Sequence, residues 1–316
     1  MPPASARLLW ALVCVLGLLF SFAPTVSAQD ANDVGGESSV LVLGRISDDP
    51  KAHYEQLEPL LQYLVPRLHD VGIRSGRILM ARDLQQMSSY LRRGRVDLIN
   101  ETAGNAAGLE DRGVAHSFLI SERDGVSHYH AIFFVRKDSP IHTLHDLQGH
   151  SVAFQNPLST SAYYLPAAQL LDAGESLEPL LSPTDRPAAG RIGYVFARTE
   201  LNISTWVHKR LVAAGVLSNI DWGHPQRMPS VFARDFRVIG QSEDVPRAVM
   251  LARNGLDPRL EARLREVLLE AASDPAAAAA LRSFMGTSRF VPITAQDRAM
   301  LRSLGRGVQR VRREVE

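Results

Sequence analysis

Three consecutive hydroxyl residues, Ser159, Thr160 and Ser161, follow a strand-like segment and precede a helical pattern. At the start of a helix the first backbone N–H groups have no partner within the helix, and the helix dipole adds partial positive charge there. Such a turn, with added hydroxyl donors, can hold an oxyanion without a formal positive charge. The alternative is that one of the three hydroxyls merely caps the helix. Three hydroxyl residues in a row after a strand favour a ligand-binding site.

Other polar residues occur at equivalent places in the chain. Glu101 and Thr102 follow the third predicted strand, and Asn202 lies in the first turn of a later predicted helix. Asn219 and Asp221 lie at and just after the end of another strand-like run. Ligands of open α/β sheets bind at the carboxyl ends of the strands, where all these residues are expected. Capping is the alternative for each taken alone, whereas an acceptor such as Asp221 would bind the proton of a partly protonated anion.

The sequence His128-Tyr129-His130 lies in a segment that is predicted to form one long strand over residues 127–136. Alternate residues of a strand share a face, so the two histidines could be two ligands of a metal. A zinc site needs a third and usually a fourth ligand, and no clustered histidine or aspartate partner is evident in the sequence. We therefore favour hydrogen-bonded side chains at the junction of two lobes, and we place Tyr129 and His130 among the candidate ligand contacts.

Residues 1–28 are predicted to be a secretory signal peptide. Arg7 is the only charged residue before Asp30, an apolar run follows it, and small residues precede a cleavage point after Ala28. The apolar run is shorter than the roughly 20 residues of a membrane-spanning helix, so an uncleaved anchor is the less favoured alternative. Lipid attachment at Cys14 is also disfavoured, because it would leave part of the apolar run in the mature chain. We expect a cleaved, periplasmic product.

The predicted mature chain, residues 29–316, contains equal numbers of basic and acidic residues and no cysteine. This balance argues against a nucleic-acid-binding protein, and the lack of cysteine excludes cysteine nucleophiles and cysteine–zinc sites. No G-x-S-x-G turn is present to position a serine nucleophile such as Ser159. We therefore predict a binding protein and not an enzyme, without catalytic residues, metal or cofactor. Anion binding is expected to depend on helix-start donors and not on a basic surface.

Strand-like and helical segments alternate along the chain with short connections. One series covers residues 39–121 and a second covers residues 144–219, and C-terminal helices follow them. Such alternation predicts an α/β protein in which helices cover a parallel sheet. We predict a two-lobed solute receptor, with a mixed, mainly parallel sheet flanked by helices in each lobe and a ligand cleft between the lobes. The first lobe would comprise residues 38–130 and 245–316, and the second residues 131–244.

Four segments carry a resemblance to a known family. Residues 132–174 include Phe-Phe-Val-Arg-Lys-Asp-Ser-Pro and Ser-Thr-Ser-Ala-Tyr-Tyr-Leu-Pro, and residues 93–98 read Arg-Gly-Arg-Val-Asp-Leu. Together with residues 206–222 and 245–247, they resemble the phosphate-, phosphite- and phosphonate-binding proteins of ABC transporters. The resemblance implies a periplasmic two-lobed receptor that holds a tetrahedral oxyanion in its cleft and delivers it to a transporter permease.

Some residues resemble a branch of that family whose members serve a membrane sensor kinase, including members that detect arsenite or phosphate. Glu200, Asn202 and residues 218–222 carry this resemblance. Where that branch tends to have Glu-Ser-Pro, the chain has Glu101-Thr102-Ala103, and capture of arsenite by thiols is not available without cysteine. The alternative function is therefore a ligand sensor that docks on a sensor histidine kinase. In either case we expect a monomer.

Overall fold

The computed structural model describes residues 39–316. The predicted signal peptide lies outside these residues. Among the described residues, none of the helices combines the length and the apolar character that a membrane span needs.

Strands and helices alternate through the described residues. The strands are β1 (Val40–Ile46), β2 (Ser75–Ala81), β3 (Leu98–Glu101), β4 (Ala115–Arg123), β5 (His128–Tyr129), β6 (Ala131–Arg136), β7 (Ser151–Phe154), β8 (Leu177–Pro179), β9 (Ile192–Phe196), β10 (Ala214–Ser218), β11 (Phe236–Gln241), β12 (Val245–Pro246), β13 (Val249–Arg253) and β14 (Thr287–Val291). The α-helices are α1 (Pro50–Leu64), α2 (Leu84–Arg92), α3 (Ala103–Asp111), α4 (Leu165–Asp172), α5 (Glu200–His208), α6 (Asn219–Trp222), α7 (Ser230–Ala233), α8 (Pro258–Glu270), α9 (Ala278–Ser283) and α10 (Ala295–Glu314).

Two six-stranded sheets form the framework. The first has the order β14-β4-β13-β3-β1-β2 and the second the order β11-β6-β10-β7-β9-β8. Both sheets are mixed, as predicted. In the first sheet, β1 pairs in parallel with β2 and β3. In the second sheet, β7 pairs in parallel with β9 and β10. The first sheet has a larger antiparallel part than predicted, because β13 and β14 return late in the chain and pair with earlier strands.

The chain crosses between the sheets twice, at residues 124–130 and 242–248. The predicted long strand over residues 127–136 is wrong, because the chain forms two short strands there. His128–Tyr129 pairs with β12, whereas Ala131–Arg136 joins the second sheet. The predicted lobe boundaries fall in these two crossing segments, and the assignment of whole lobes stays a prediction.

Alternating side chains explain why helices cover both faces of the first sheet. Leu41 and Leu43 of β1 pack in one buried apolar cluster, and Val42 between them packs in another. A strand buried on both faces reads as a continuous apolar run, as β1 does.

The C-terminal helix α10 contacts helices next to both sheets. Gln309 donates to Asp111 of α3 at 2.9 Å, and Arg310 donates to Asp172 of α4 at 2.8 Å. The helix begins with a capping box, in which Thr294 and Asp297 exchange hydrogen bonds with each other's backbone. The helix therefore connects the two sheets on the side where its own apolar side chains are buried.

Candidate functional site

A cavity of about 820 Å³ lies between the carboxyl ends of strands from both sheets. Arg45 lines it at the end of β1 and Glu101 at the end of β3. Asn156, Glu200 and Asp221 line it just after the ends of β7, β9 and β10. The cavity therefore occupies the place where open α/β sheets bind ligands.

Most of the residues predicted as ligand contacts line this cavity. Those on its wall are Glu101, Thr102, Tyr129, Ser159, Thr160, Ser161 and Asp221. Those that the structure does not bring to the wall are His130, Asn202 and Asn219.

The three hydroxyls of the Ser159-Thr160-Ser161 turn have different partners. Ser159 Oγ accepts from the backbone N–H of Ala162 at 3.2 Å and so caps the helical segment. Thr160 Oγ1 accepts from the backbone N–H of Gly104 at 2.9 Å. The capping alternative thus applies to Ser159, whereas Thr160 joins this turn to the start of α3 beside the first sheet. The helix predicted to begin here starts with a π-helical turn (Thr160–Tyr164) before α4.

Tyr129 lies beside the same turn. Burial raises the pKa of its phenol above the usual value, although hydrogen bonds with Ser161 and Thr160 and the nearby charge of Arg123 act in the opposite direction. The hydroxyl therefore stays protonated at neutral pH. It can share a ligand oxygen with the two neighbouring hydroxyls.

The start of α3 presents oxygen atoms to the cavity. Glu101 is only 4% exposed, and its Oε2 accepts from the Asn105 side-chain amide at 3.1 Å. Glu101 Oε1, Thr102 Oγ1 and Asn105 Oδ1 are buried and have no hydrogen-bond partner within residues 39–316. Buried polar atoms are normally satisfied, so three unpaired oxygens at the start of one helix are unusual.

Three arginines on the same wall were missed by the sequence reasoning. This arginine group consists of Arg45 at the end of β1, Arg123 at the end of β4, and Arg247 just after β12. Burial and then the charges of Arg45 and Arg247 lower the pKa of Arg123 to about 10, so it remains charged at neutral pH. The expectation that anion binding depends on helix-start donors and not on a basic surface stays a prediction, but guanidinium groups also line the cavity.

The arginine group is held mainly by neutral acceptors. Arg45 Nη1 donates to the Asn100 backbone carbonyl at 3.2 Å, and Arg247 Nη1 donates to the Arg123 carbonyl at 2.7 Å. Arg123 Nη2 donates to the side-chain oxygen of Asn100 at 3.0 Å, in the amide orientation that also satisfies Val249 and Ser121. The Nε atoms of Arg45 and Arg123 are buried and find no acceptor in the described part of the chain. With the three oxygens at the start of α3, they make five buried, unpaired polar atoms in residues that line the cavity.

Asp221 lines the cavity, but its carboxylate already has protein partners. One oxygen accepts from Ser218 Oγ at 2.6 Å, and the other accepts from Arg227. Its predicted role as the acceptor of a ligand proton would therefore have to compete with two strong donors.

The three residues away from the wall stabilise local structure. Asn202 donates to the Ala197 carbonyl at 2.8 Å. Asn219 accepts from the backbone N–H of His130 at 3.1 Å, and the His130 ring pairs with Asp244 at 2.9 Å. These contacts fasten strand ends and the crossing segments.

The two histidines of the His128-Tyr129-His130 segment have different carboxylate partners. His128 Nε2 lies 2.7 Å from Asp297 Oδ1, whereas His130 pairs with Asp244. Over residues 39–316, no group of three or more histidine, cysteine, aspartate or glutamate side chains is arranged to hold a metal ion.

A smaller cavity of about 500 Å³ lies at the other end of the second-sheet strands, where β7 and β10 begin. Arg136 and Arg210 on its wall both bind Asp138, and their hydrogen bonds lower the pKa of that carboxyl to about 2. Asp235 lies 3.7 Å from Arg136, so two carboxylates balance the charges of these two arginines, unlike those of the arginine group.

Comparison with known proteins agrees with this architecture. Residues 44–298 match the protein-family model described as "ABC transporter, phosphonate, periplasmic substrate-binding protein". The protein XAC2383 from Xanthomonas citri, solved bound to chloride ion, is 55% identical, with 88% of this chain and 100% of that chain covered and a TM-score of 0.82. The same protein solved bound to ATP gives 54% identity with the same coverage and TM-score.

A more distant structure shows the shared fold. PhnD1 from Prochlorococcus marinus, in complex with methylphosphonate, has 15% identity and a TM-score of 0.60, with 86% of this chain and 98% of that chain covered. The fold is therefore that of the two-lobed periplasmic binding proteins. The chain belongs to the family of periplasmic substrate-binding proteins of phosphonate ABC transporters.

Proposed function

We propose that the protein binds an anion with a phosphonate or phosphoryl group in the 820 Å³ cavity and delivers it to an ABC transporter. The observation that carries this proposal is the presence of the arginine group and the hydroxyls of Thr102, Tyr129 and Ser161 on the wall of one cavity. All of these groups can donate hydrogen bonds to an oxyanion.

The donors on the cavity wall suit a tetrahedral oxyanion. Thr102, Tyr129 and Ser161 supply hydroxyl groups, and the arginine group supplies charged N–H groups. Charge-assisted hydrogen bonds are shorter and roughly twice as strong as neutral ones. Glu101 Oε1, a buried acceptor, favours a ligand that carries a proton or another donor at that position.

Calorimetric titration with phosphate, phosphite and methylphosphonate tests the proposal. Thr160→Ala should weaken binding, because it removes the hydroxyl that joins the Ser159-Thr160-Ser161 turn to the start of α3. Thr184→Ala is the matched control, because this threonine is exposed in a loop of the second sheet. Absence of binding to all three anions, or equal affinities for wild type and Thr160→Ala, would contradict the proposal.

A nucleotide is the second candidate ligand. The 54% identical Xanthomonas citri protein was solved bound to ATP. Cavities of about 300–1,000 Å³ take ligands of drug size, and this cavity falls within that range. Titration with ATP under the same conditions distinguishes this candidate from a small phosphonate.

The role of a ligand sensor for a membrane kinase stays a prediction from the sequence. Neighbouring permease and ATPase genes would support delivery to a transporter, and a neighbouring kinase gene would support sensing.

A further inference from the structure

We infer that the arginine group, Arg45, Arg123 and Arg247, is a second anion subsite in the cavity, separate from the Ser159-Thr160-Ser161 turn. The ligand class is then an anion with at least two phosphoryl groups in a row, such as a pyrophosphate or a nucleoside di- or triphosphate. This inference rests on the proposed function and specifies its ligand.

The first support is charge that the protein leaves unbalanced. The only acid within 4 Å of the arginine group among residues 39–316 is Asp124, which lies 3.7 Å from Arg247 and has a 75% exposed side chain. Such an exposed, distant pair contributes little. Glu101 is the carboxylate whose charge acts on Arg123. Three guanidinium groups thus face the cavity with one buried carboxylate near them. A polyanion would balance the positive charge that this carboxylate leaves uncompensated.

The second support is the number of N–H groups that the arginines keep available. Arg45, Arg123 and Arg247 line the cavity, and their hydrogen bonds to protein oxygens within residues 39–316 use only one terminal nitrogen of each. Guanidinium groups present planar, forked donors that match two oxygens of a phosphoryl group. Lysine at any of these positions would give a point charge without this fork.

The third support is the placement of the two subsites on different elements. The arginine group lies at the ends of first-sheet strands and on a crossing segment, whereas the Ser159-Thr160-Ser161 turn follows a strand of the second sheet. Tyr129 lines the same cavity and hydrogen-bonds with Ser161 and Thr160 of the turn. The two subsites therefore belong to one cavity, as a ligand with linked phosphoryl groups requires.

The test compares ligands that differ only in the number of phosphoryl groups. Calorimetric titration of the mature protein with orthophosphate, pyrophosphate, AMP, ADP and ATP should give pyrophosphate, ADP and ATP at least about tenfold tighter binding than orthophosphate and AMP. Arg45→Gln should remove most of that gain, because it should weaken binding of pyrophosphate, ADP and ATP much more than binding of orthophosphate and AMP.

Arg313→Gln is the matched control variant. Arg313 does not line the cavity, its side chain is 69% exposed and it pairs with Glu314, so its loss should change none of the affinities. Arg247→Gln provides a second variant should Arg45→Gln unfold at a lower temperature than wild type.

Three results would overturn the inference. Equal affinities for mono- and diphosphates would do so while leaving the proposed function intact, provided that orthophosphate or methylphosphonate binds. An equal loss for both ligand types in Arg45→Gln and Arg247→Gln would show one shared subsite. Absence of binding to every phosphate and phosphonate would contradict the proposed function itself and this inference with it.

Discussion

Replacing Gly104 with alanine should disturb the contact that joins the two helix starts of the cavity. An added Cβ would lie 2.8 Å from Thr160 Oγ1, closer than real contacts of this kind, and 3.4 Å from a ring carbon of Tyr164. The Gly104 N–H to Thr160 Oγ1 bond of 2.9 Å would have to lengthen or break.

The size of the effect follows from three contributions. Alanine gains about 0.5–1 kcal/mol over glycine within a helix. Loss of the buried hydrogen bond costs about 1–3 kcal/mol, and crowding costs about 1–3 kcal/mol. We therefore expect Gly104→Ala to lower the free energy of unfolding by about 1–5 kcal/mol and to weaken oxyanion binding.

Urea denaturation of a double-mutant cycle isolates the cause. In the Thr160→Ala background the clashing oxygen is gone, so Gly104→Ala should be neutral or stabilising by about 0.5 kcal/mol. Gly305→Ala in α10 is the matched control, because its Cβ would meet Ala107 at 3.5 Å and Asp111 at 3.7 Å, which are ordinary contacts. The same destabilisation in both backgrounds would refute the proposed contact.

Two further predictions concern buried carboxylates. Asp97 is 6% exposed and accepts from Arg253 Nε at 2.9 Å, so Asp97→Asn should lower the free energy of unfolding by about 2 kcal/mol. Urea denaturation at neutral pH measures this, and a change below about 0.5 kcal/mol would contradict it. Burial acts to raise the pKa of Asp297, but hydrogen bonds from Thr294 and His128 outweigh it and lower the pKa below 3.8. The ionised form therefore stabilises the fold above the unfolded-state pKa, and this stability is lost as the pH falls toward the folded-state pKa. Asp297→Asn should flatten the acid side of the stability profile, and an unchanged profile would show that this pair does not govern it.

The framework could be predicted because its signals are local. Apolar runs such as the one in β1 and the alternation of strands with helices follow from side chains that lie next to each other in the sequence. The Ser159-Thr160-Ser161 turn was found for the same reason, since a strand end and a helix start identify it within a few residues.

The arginine group could not be found in this way, because its members are far apart in sequence. Arg45, Arg123 and Arg247 come to one cavity wall only when β1 and β4 have joined the same sheet and the second crossing segment has returned to it. The net charge of the whole chain does not reveal such a local cluster of positive charge. The rule that polar residues at strand ends form sites would have indicated Arg45 and Arg123, which both end strands, had it been applied to arginines.

The hydrogen-bond partner of Thr160 and the two short strands at the first crossing segment could not be predicted either. In both cases the partner lies far away in the sequence. The bond from Gly104 spans 56 positions, and the pairing of β5 with β12 joins segments more than a hundred residues apart. Local patterns favoured one long strand over residues 127–136. The structure divides this segment at His130, because residues 128–129 pair with β12 whereas residues 131–136 pair with strands of the second sheet.

The strand order of the first sheet also sets the order in which the molecule can be assembled. All six strands of the second sheet come from one continuous stretch, residues 131–241, so that sheet can close as soon as this stretch is available. The first sheet cannot, because β13 is inserted between β3 and β4 and is made late in synthesis. Until then β3 and β4 each carry an unpaired edge, the kind of edge that attracts other chains. A nascent chain of this protein is therefore most vulnerable to aggregation while its last quarter is still being made.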